Sequence, residues 1–320
     1  MSQSICMSRK VVIVGAGDVG ATFAYALAQS GVAEEIVLID LNREHAEGQV
    51  MDLAHGLAYL PPVRIRAGDK ADYADADVIV ITAGSRSGPG ETRLQLLRLN
   101  ATIIQRIMDE ITQQSSRGIV IMVSNPVDVL TRIAIQRSGW PNGRIMGSGT
   151  VLDSARFRYL LSLRCGINVR NIHAYILGEH GDSEIAAWSM THLAGVSMDV
   201  RCPMCDPQQS PQVCRSDLIE EVRTSAYHVI EYKGSTCYAV GLALVRIVEA
   251  ILRDERSVLT VSIPLTGEFG IRDTCLSVPC VVSRAGVDRI LEGPLTEQEI
   301  AGLRHSADVL DKAYEETMSV

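Results

Sequence analysis

The stretch VVIVGAGDVG, residues 11–20, decides the fold. An apolar run leads directly into three glycines with the spacing G-x-G-x-x-G, namely Gly15, Gly17 and Gly20. The run predicts a buried strand, and the glycines let backbone amides approach a pyrophosphate at the positive end of a helix over 18–30. Glycines after a strand are often only turns, so the surrounding sequence has to support a nucleotide site.

Three further apolar runs follow, each separated from the next by an amphipathic stretch. They are EIVLID (35–40), DVIVITAG (77–84) and GIVIMVSNP (118–126). Such apolar runs are typical of strands buried on both faces, so helices are expected on each side of a parallel sheet. With right-handed crossovers, the pattern predicts an α/β fold with a doubly wound Rossmann sheet.

The rhythm changes after Gly147. A helical pattern begins at Leu152, an extended stretch surrounds residues 173–182, two helices are expected over roughly 217–253, and VLTVSIP and VPCVVS resemble strands. This mixture predicts a second, α+β domain. We therefore expect a dinucleotide-binding domain over 1–148 and a substrate-binding, catalytic domain over 149–320.

Composition limits the classes of partner. Across 320 residues, 30 Lys and Arg against 38 Asp and Glu give a formal charge of −8 without a basic run, so no nucleic-acid partner is expected. No uncharged apolar run approaches the about 18 residues that cross a bilayer, so no membrane partner is expected either. The absence of a secretory signal and the scattered cysteines favour reduced thiols and a cytoplasmic location.

The segment RCPMCDPQQSPQVC, residues 201–214, contains three of the eight cysteines, Cys202, Cys205 and Cys214. A C-x-x-C pair is a possible zinc ligand set. A closed structural zinc site needs a fourth ligand, however, and no second C-x-x-C or His pair follows. We predict a surface connection with reduced thiols and no metal.

Asp40 ends the second apolar run, 20 residues beyond Gly20. A carboxylate there can bind a ribose 2′-hydroxyl and would repel a 2′-phosphate. Arg43 is the only cation nearby. The sequence therefore predicts NAD rather than NADP as the cofactor.

Three residue groups suggest chemistry, although each also has an ordinary structural interpretation. His180 stands between two acids and two glycines, as a loop histidine also would. Asp153 and Arg156 share a helix face, as a simple intrahelical ion pair also would. Asn125 follows a strand at the edge of the sheet where ligands of this architecture bind, but Asn-Pro turns are common.

Six motifs resemble, in order and spacing, those of the L-lactate and malate dehydrogenase family. They are GAGDVG, LID, GETR, SNPVD, LDSARFR and LGEHGDS. The resemblance covers nearly the whole chain. It implies an NAD-dependent oxidoreductase acting on small L-2-hydroxy acids, usually assembled as a homotetramer. A protein that only sensed NAD(H) should have lost at least one of the catalytic residues that follow.

The resemblance assigns four catalytic roles. His180 would be the general acid/base, and Asp153 would fix its tautomer and favour the imidazolium. Arg156 would bind the substrate carboxylate through two parallel hydrogen bonds. Arg93, carried on a glycine-containing lid, would polarise the ketone as negative charge develops on its oxygen.

The resemblance also completes the binding site. Asn125 would bind the same ketone oxygen or position the nicotinamide. Thr236 would border the substrate side chain, with Val240 one turn further on against the nicotinamide ring. Val19 and Gly84 would join the glycine motif and Asp40 in binding the cofactor.

Substrate choice depends on Ser87. The matching position in the family carries arginine in malate dehydrogenases and glutamine in typical lactate dehydrogenases. Without a guanidinium, a second substrate carboxylate would be buried with poor compensation, so pyruvate and L-lactate are predicted. Malate dehydrogenase activity remains an alternative, as does a broader L-2-hydroxy acid range because serine is small. Arg86 is expected to face solvent or the cofactor near its pyrophosphate.

A second anion site is suggested by Arg158 and His173. Arg158 points about 200° away from Arg156 around a helix, and His173 lies an odd number of residues before His180. From the residues alone, both are ordinary surface groups. The resemblance instead implies an activator site, because the pair matches the residues with which allosteric bacterial lactate dehydrogenases bind fructose 1,6-bisphosphate between subunits.

Overall fold

Six parallel strands form one side of the central sheet in the computed structural model, which describes residues 9–85, 92–198 and 211–319. They are β1 (Lys10–Val14), β2 (Glu35–Ile39), β3 (Arg64–Ala67), β4 (Val78–Ile81), β5 (Ile119–Met122) and β6 (Ile145–Gly147). Their spatial order is β3-β2-β1-β4-β5-β6. The chain therefore reverses direction across the sheet between β1 and β4, which is the doubly wound arrangement.

Four helices connect these strands. They are α1 (Asp18–Ser30), α2 (Arg43–His55), α3 (Arg93–Gln113) and α4 (Val127–Ser138). Every residue of β1, β4 and β5 is buried, as expected for strands covered on both faces. The helix predicted over 18–30 has the predicted bounds, and it ends at Gly31 in the left-handed conformation.

The second half of the chain adds three helices and several short strands before its long strands begin. They are α5 (Val151–Cys165), β7 (Ile172–His173), β8 (Ile176–Leu177), β9 (Ile185–Ala186), β10 (His192–Leu193), β11 (Val196–Ser197), α6 (Pro211–Lys233) and α7 (Tyr238–Leu252). One face of α5 packs its apolar residues Phe157 and Leu161 in a second core with Leu218 and Val222 of α6. That packing orients the remaining face of α5 toward the site.

The last strands join the same sheet as the first. β12 (Ser257–Thr266), β13 (Arg272–Ser283) and β14 (Gly286–Ile290) precede the final helix α8 (Glu297–Met318). β12 pairs antiparallel with β6 at Ser262 and Gly147, so the sheet has nine strands in the order β14-β13-β12-β6-β5-β4-β1-β2-β3. The predicted α+β half is therefore continuous with the Rossmann half through hydrogen-bonded strands.

None of the helices in the described ranges combines the length and the apolar character needed to span a bilayer. Three of the cysteines that the structure describes are free thiols: Cys237, Cys275 and Cys280.

Candidate active site

Each glycine of the loop after β1 is needed for a different physical reason. Gly15 has φ +103°, which side chains rarely adopt, and a Cβ at Gly20 would lie 1.9 Å from the carbonyl oxygen of Gly15. Both are thus required by the loop itself. A Cβ at Gly17 would meet no protein atom within 4 Å. Gly17 therefore leaves space for a ligand at the amino end of α1, where backbone amides favour an anion.

A cleft of about 730 Å³ runs along the carboxyl ends of β1, β2, β4 and β5. Seven of the predicted cofactor residues line it: Gly15, Gly17, Val19, Gly20, Asp40, Gly84 and Asn125. The cleft lies where the strand order reverses, which is the usual ligand position in this architecture.

Asp40 is held firmly at the end of β2. Its Oδ2 accepts a hydrogen bond from the Ala16 amide at 2.7 Å, and its Oδ1 accepts one from the Asn42 amide at 2.9 Å. Arg43 forms an ion pair with Glu47, with Nε 2.9 Å from Oε1. A fixed carboxylate beside an arginine that already has a partner fits a ribose diol better than a 2′-phosphate.

Asn100 was not predicted, yet it connects two loops that line the cleft. It is 3% exposed, its Oδ1 accepts from the Ser85 amide at 2.8 Å, and its Nδ2 donates to the Asn125 carbonyl at 3.0 Å. Buried amides of this kind fix the relative position of the segments they join. The sequence signal that could have revealed Asn100 is its position as a polar residue on the apolar face of α3.

The structure brings His180, Asp153 and Arg156 together. Asp153 lies in the first turn of α5 and is 2% exposed. Its Oδ2 is 2.5 Å from His180 Nδ1, and its Oδ1 accepts from a terminal nitrogen of Arg156 at 2.7 Å. One carboxylate thus orients both a titratable ring and a guanidinium. With Nδ1 on Asp153, Nε2 is the ring nitrogen left to exchange a proton with a substrate.

The charges in this cluster support one another. The carboxylate of Asp153 raises the pKa of His180 to about 9, against the opposing effect of burial. Burial by itself would raise the pKa of Asp153, but the His180 imidazolium and Arg156 outweigh it and hold that pKa below its usual range. At neutral pH the cluster therefore contains an imidazolium, a carboxylate and a guanidinium.

Two buried carboxyl groups near His180 were also missed. Asp128, 2% exposed, accepts a hydrogen bond from the His180 amide at 2.9 Å through Oδ2. Glu184 is 3% exposed, and its Oε1 has no hydrogen-bond partner among the described residues. Burial raises its pKa to about 8. Both belong to stretches next to predicted residues, SNPVD and HGDSE, but nothing in the sequence shows that they are buried.

Three further predicted site residues, Arg93, Thr236 and Val240, are described but are not among the residues that line the cleft. Arg93 is exposed as the first residue of α3, within electrostatic reach of Tyr227 on α6. Thr236 and Val240 are half-buried. The adjacent Ser235 hydroxyl donates to Asp18 Oδ2 at 2.9 Å, which brings this segment against the cofactor helix. Arg86 and Ser87 lie outside the described residues.

The two residues predicted for an activator lie on different elements, α5 and β7. His173 is exposed on β7, opposite His192 of β10, in a cavity of about 460 Å³. Arg158 is half-buried, and its Nε donates to the Ser154 carbonyl at 3.3 Å. Arg158 is not among the described residues that line this cavity.

No group of three or more His, Cys, Asp or Glu side chains that could hold a metal occurs within residues 9–85, 92–198 and 211–319. Cys202 and Cys205 of the C-x-x-C pair lie outside those ranges.

Known proteins resemble this chain over its whole length. The family model for the lactate/malate dehydrogenase NAD-binding domain matches residues 9–147, and the model for the lactate/malate dehydrogenase α/β C-terminal domain matches residues 150–320. An L-lactate dehydrogenase of Treponema denticola is 57% identical over 308 residues, covering 96% of this chain and 98% of the relative. One from a Thermoanaerobacter species is 51% identical, with 96% and 98% covered.

Solved structures agree. A lactate dehydrogenase from a deep-sea metagenome library of the Medee basin superimposes with a TM-score of 0.93 at 41% identity, covering 97% of this chain and 99% of that one. A minor L-lactate dehydrogenase from Enterococcus mundtii gives a TM-score of 0.92 at 41% identity, with 97% and 98% covered. The chain belongs to the lactate/malate dehydrogenase family.

Proposed function

We propose that the protein is an NAD-dependent L-lactate dehydrogenase that interconverts pyruvate and L-lactate. The observation that carries this proposal is the Asp153 carboxylate that binds His180 and Arg156 at once. An acid/base and a carboxylate-binding guanidinium are thereby fixed in one orientation, which a 2-oxo acid requires. The relatives described above, which are named L-lactate dehydrogenases, support the same activity.

Bound in the cleft lined by Gly17 and Asp40, NADH would supply the hydride that pyruvate reduction requires at the carbonyl carbon. The protonated His180 donates the proton on Nε2 to the carbonyl oxygen, so pyruvate, NADH and one proton give L-lactate and NAD⁺. In the reverse direction a neutral His180 accepts the hydroxyl proton. Because Asp153 holds Nδ1, the ring presents the same nitrogen in both directions.

Arg156 would bind the substrate carboxylate. One of its terminal nitrogens is engaged by Asp153, and its side chain is 18% exposed, so the guanidinium is fixed but not enclosed. A planar guanidinium offers two parallel hydrogen bonds to a carboxylate, which lysine does not. Arg93 and Asn125 would then act on the ketone oxygen, and Thr236 and Val240 would border the substrate and nicotinamide.

We propose pyruvate over oxaloacetate because Ser87 offers no positive charge for a second carboxylate. NADH oxidation measured with each acid tests this choice. We expect a kcat/KM for pyruvate at least about 100-fold above that for oxaloacetate, since an unpaired buried charge costs several kcal/mol. Faster turnover of oxaloacetate would instead assign malate dehydrogenase activity. Comparable turnover of longer 2-oxo acids would assign the broader range.

We also propose activation by fructose 1,6-bisphosphate through Arg158 and His173 of neighbouring subunits in a homotetramer. Burial lowers the pKa of Arg158, as expected of a guanidinium without a carboxylate partner among the described residues. Exposed apolar side chains support self-association: Met51, Leu57, Tyr59, Tyr227, Ile230 and Tyr232. A titration with fructose 1,6-bisphosphate that left the KM for pyruvate unchanged would refute the proposed activation. A monomer by light scattering would refute the proposed homotetramer.

The remaining assignments complete the proposal. Residues 1–148 would bind NAD and residues 149–320 the substrate, with the boundary just after β6, which ends at Gly147. A cytoplasmic location is supported by the free thiols of Cys237, Cys275 and Cys280.

A further inference from the structure

We propose that Asp128 is a positioning residue for the reaction. Its buried carboxylate holds the backbone of the His180 loop, which is the segment 178–184 between β8 and β9, and places a second negative charge beside the imidazole. The inference rests on the proposed function only in taking His180 as the acid/base. It assigns to the end of SNPVD a role distinct from that of Asn125 at its beginning.

The first step is the anchor. Asp128 lies in the first turn of α4, where a carboxylate is favoured by the helix dipole. Its Oδ2 accepts from the His180 amide at 2.9 Å, although the two residues are 52 positions apart in the chain. The carboxylate therefore links α4 to the backbone of the acid/base itself.

The second step is that β13 also anchors this loop. The Gly178 amide donates to the Ser277 carbonyl at 2.9 Å, and the Ser277 amide donates back to the Gly178 carbonyl at 3.0 Å. The Ser277 hydroxyl lies 3.5 Å from Asp128 Oδ1, at the outer limit of a hydrogen bond. The loop is thus fixed to β13 and to α4, and Asp128 binds the backbone amide of His180 itself.

The third step is charge. Burial raises the pKa of Asp128 to about 6, so its carboxyl is ionised over the range above pH 7 in which His180 titrates. An anion in a site from which water is largely excluded favours the imidazolium. Asp128 therefore adds to the effect of Asp153 on the pKa of His180. Asp128 acts from the backbone side of His180, whereas Asp153 binds the ring.

Other charged and titratable groups face this cluster and have to be considered with it. They are Asp153 and Arg156 from α5, Glu179 and Glu184 from the His180 loop, Arg223 from α6 and the buried thiol of Cys275 from β13. Among the carboxylates of the described ranges, Asp128 and Asp153 alone have a hydrogen bond to His180. A test of Asp128 must therefore remove its charge without disturbing Asp153.

Asp128→Asn makes that separation, because the amide oxygen still accepts from the His180 amide while the negative charge is lost. The measurement is an NMR titration of ¹³C-histidine-labelled protein without cofactor or substrate, with the His180 resonance assigned from His180→Asn. We expect D128N to lower the proton affinity of His180 about tenfold, as removal of one nearby buried charge implies.

The matched control is Asp182→Asn, which removes an exposed carboxylate from the same loop. We expect D182N to change the proton affinity of His180 less than about twofold, because solvent screens its charge. A folded D128N protein whose His180 titrates as in D182N would overturn the proposal.

The wild-type protein provides a second measurement that does not depend on whether D128N folds. If Asp128 lies beside the imidazole as a charge, the His180 resonance should show a small inflection near pH 6, where Asp128 protonates. A His180 titration curve that is flat from pH 5 to 7 would contradict the proposal. Since neither titration uses pyruvate, a protein inactive with pyruvate would refute the proposed function while leaving this test intact.

Discussion

Replacing Asp153 by asparagine tests the core of the site, because one carboxylate there serves two donors. His180 Nδ1 lies 2.5 Å from Oδ2, and Arg156 donates to Oδ1 at 2.7 Å. The amide of asparagine has a single acceptor oxygen, so one of the two donors must lose its partner. The negative charge that favours the imidazolium is lost as well.

The expected magnitude follows from the pKa of His180. Asp153 raises it to about 9, and without that charge it should return to about 6.5, since burial then opposes only the smaller effects of Asp128 and Glu184. The difference corresponds to about 3 kcal/mol. At pH 7.5 the protonated fraction would fall from nearly all to about one tenth, which lowers kcat/KM for pyruvate at least about tenfold. Above pH 9 the loss should reach about 300-fold.

The assay is steady-state pyruvate reduction by NADH between pH 6 and 10. Reduction needs the imidazolium, so activity is lost as the pH rises through the His180 pKa, and D153N should move that loss to lower pH. Asp109→Asn, which removes an exposed carboxylate paired with Arg137, is the control and should leave the profile unchanged. A D153N profile that still falls near pH 9 would refute the role given to Asp153.

The remaining predictions concern substrate, cofactor and stability. Arg156→Lys should raise the KM for pyruvate about 10- to 100-fold, since two parallel hydrogen bonds to a charged group are reduced to one; an unchanged KM would exclude Arg156 as the carboxylate ligand. Gly17→Ala should weaken NADH binding in a fluorescence titration while the melting temperature stays within about 2 °C, because its Cβ meets no protein atom within 4 Å. Gly20→Ala should instead lower the melting temperature by more than about 5 °C, because its Cβ would overlap the Gly15 carbonyl; equal melting temperatures would contradict this distinction. Glu184→Gln should exceed the wild type in free energy of unfolding by a margin that grows from about pH 4.5 to pH 8 and stays constant above pH 8. The reason is that the folded-state pKa of about 8 lies above the unfolded value of about 4.3, so folding opposes ionisation of Glu184. Denaturant unfolding at several pH values measures this difference, and parallel curves for the two proteins would contradict it.

Much of the Rossmann half follows from local sequence physics. The strands predicted from apolar runs became β1, β2, β4 and β5, because residues buried on both faces leave an unmistakable pattern. β3 was not predicted because its sequence, RIRA, alternates arginine with smaller residues, as edge strands often do. β6 has only three residues, too few for a periodic signal.

The second half was harder to predict because its organisation depends on pairing between distant strands. VLTVSIP and VPCVVS were recognised as strands, but their order in the sheet depends on the Ser262 and Gly147 pairing, which joins residues far apart in the chain. Periodicity describes the face a residue occupies and carries no information about which strand lies beside it.

The site was predicted where motifs carry roles and was missed where burial decides. The hydrogen bond between Asp153 and His180 joins residues that are 27 positions apart in the chain. The family resemblance implied this contact, whereas the spacing of the two residues in the sequence could not predict it. Asp128, Glu184 and Asn100 were missed because their burial is what distinguishes them, and that environment is created only by the packed structure.

The most direct test of the central claim is the pH dependence of kcat/KM for pyruvate with NADH in the wild-type protein. A protonated His180 stabilised by Asp153 predicts a constant value from pH 7 to 8 and a decline of about tenfold per pH unit above a midpoint near 9. A midpoint near 6.5, the ordinary value of a histidine, would show that the carboxylate does not sustain the imidazolium and would contradict the account.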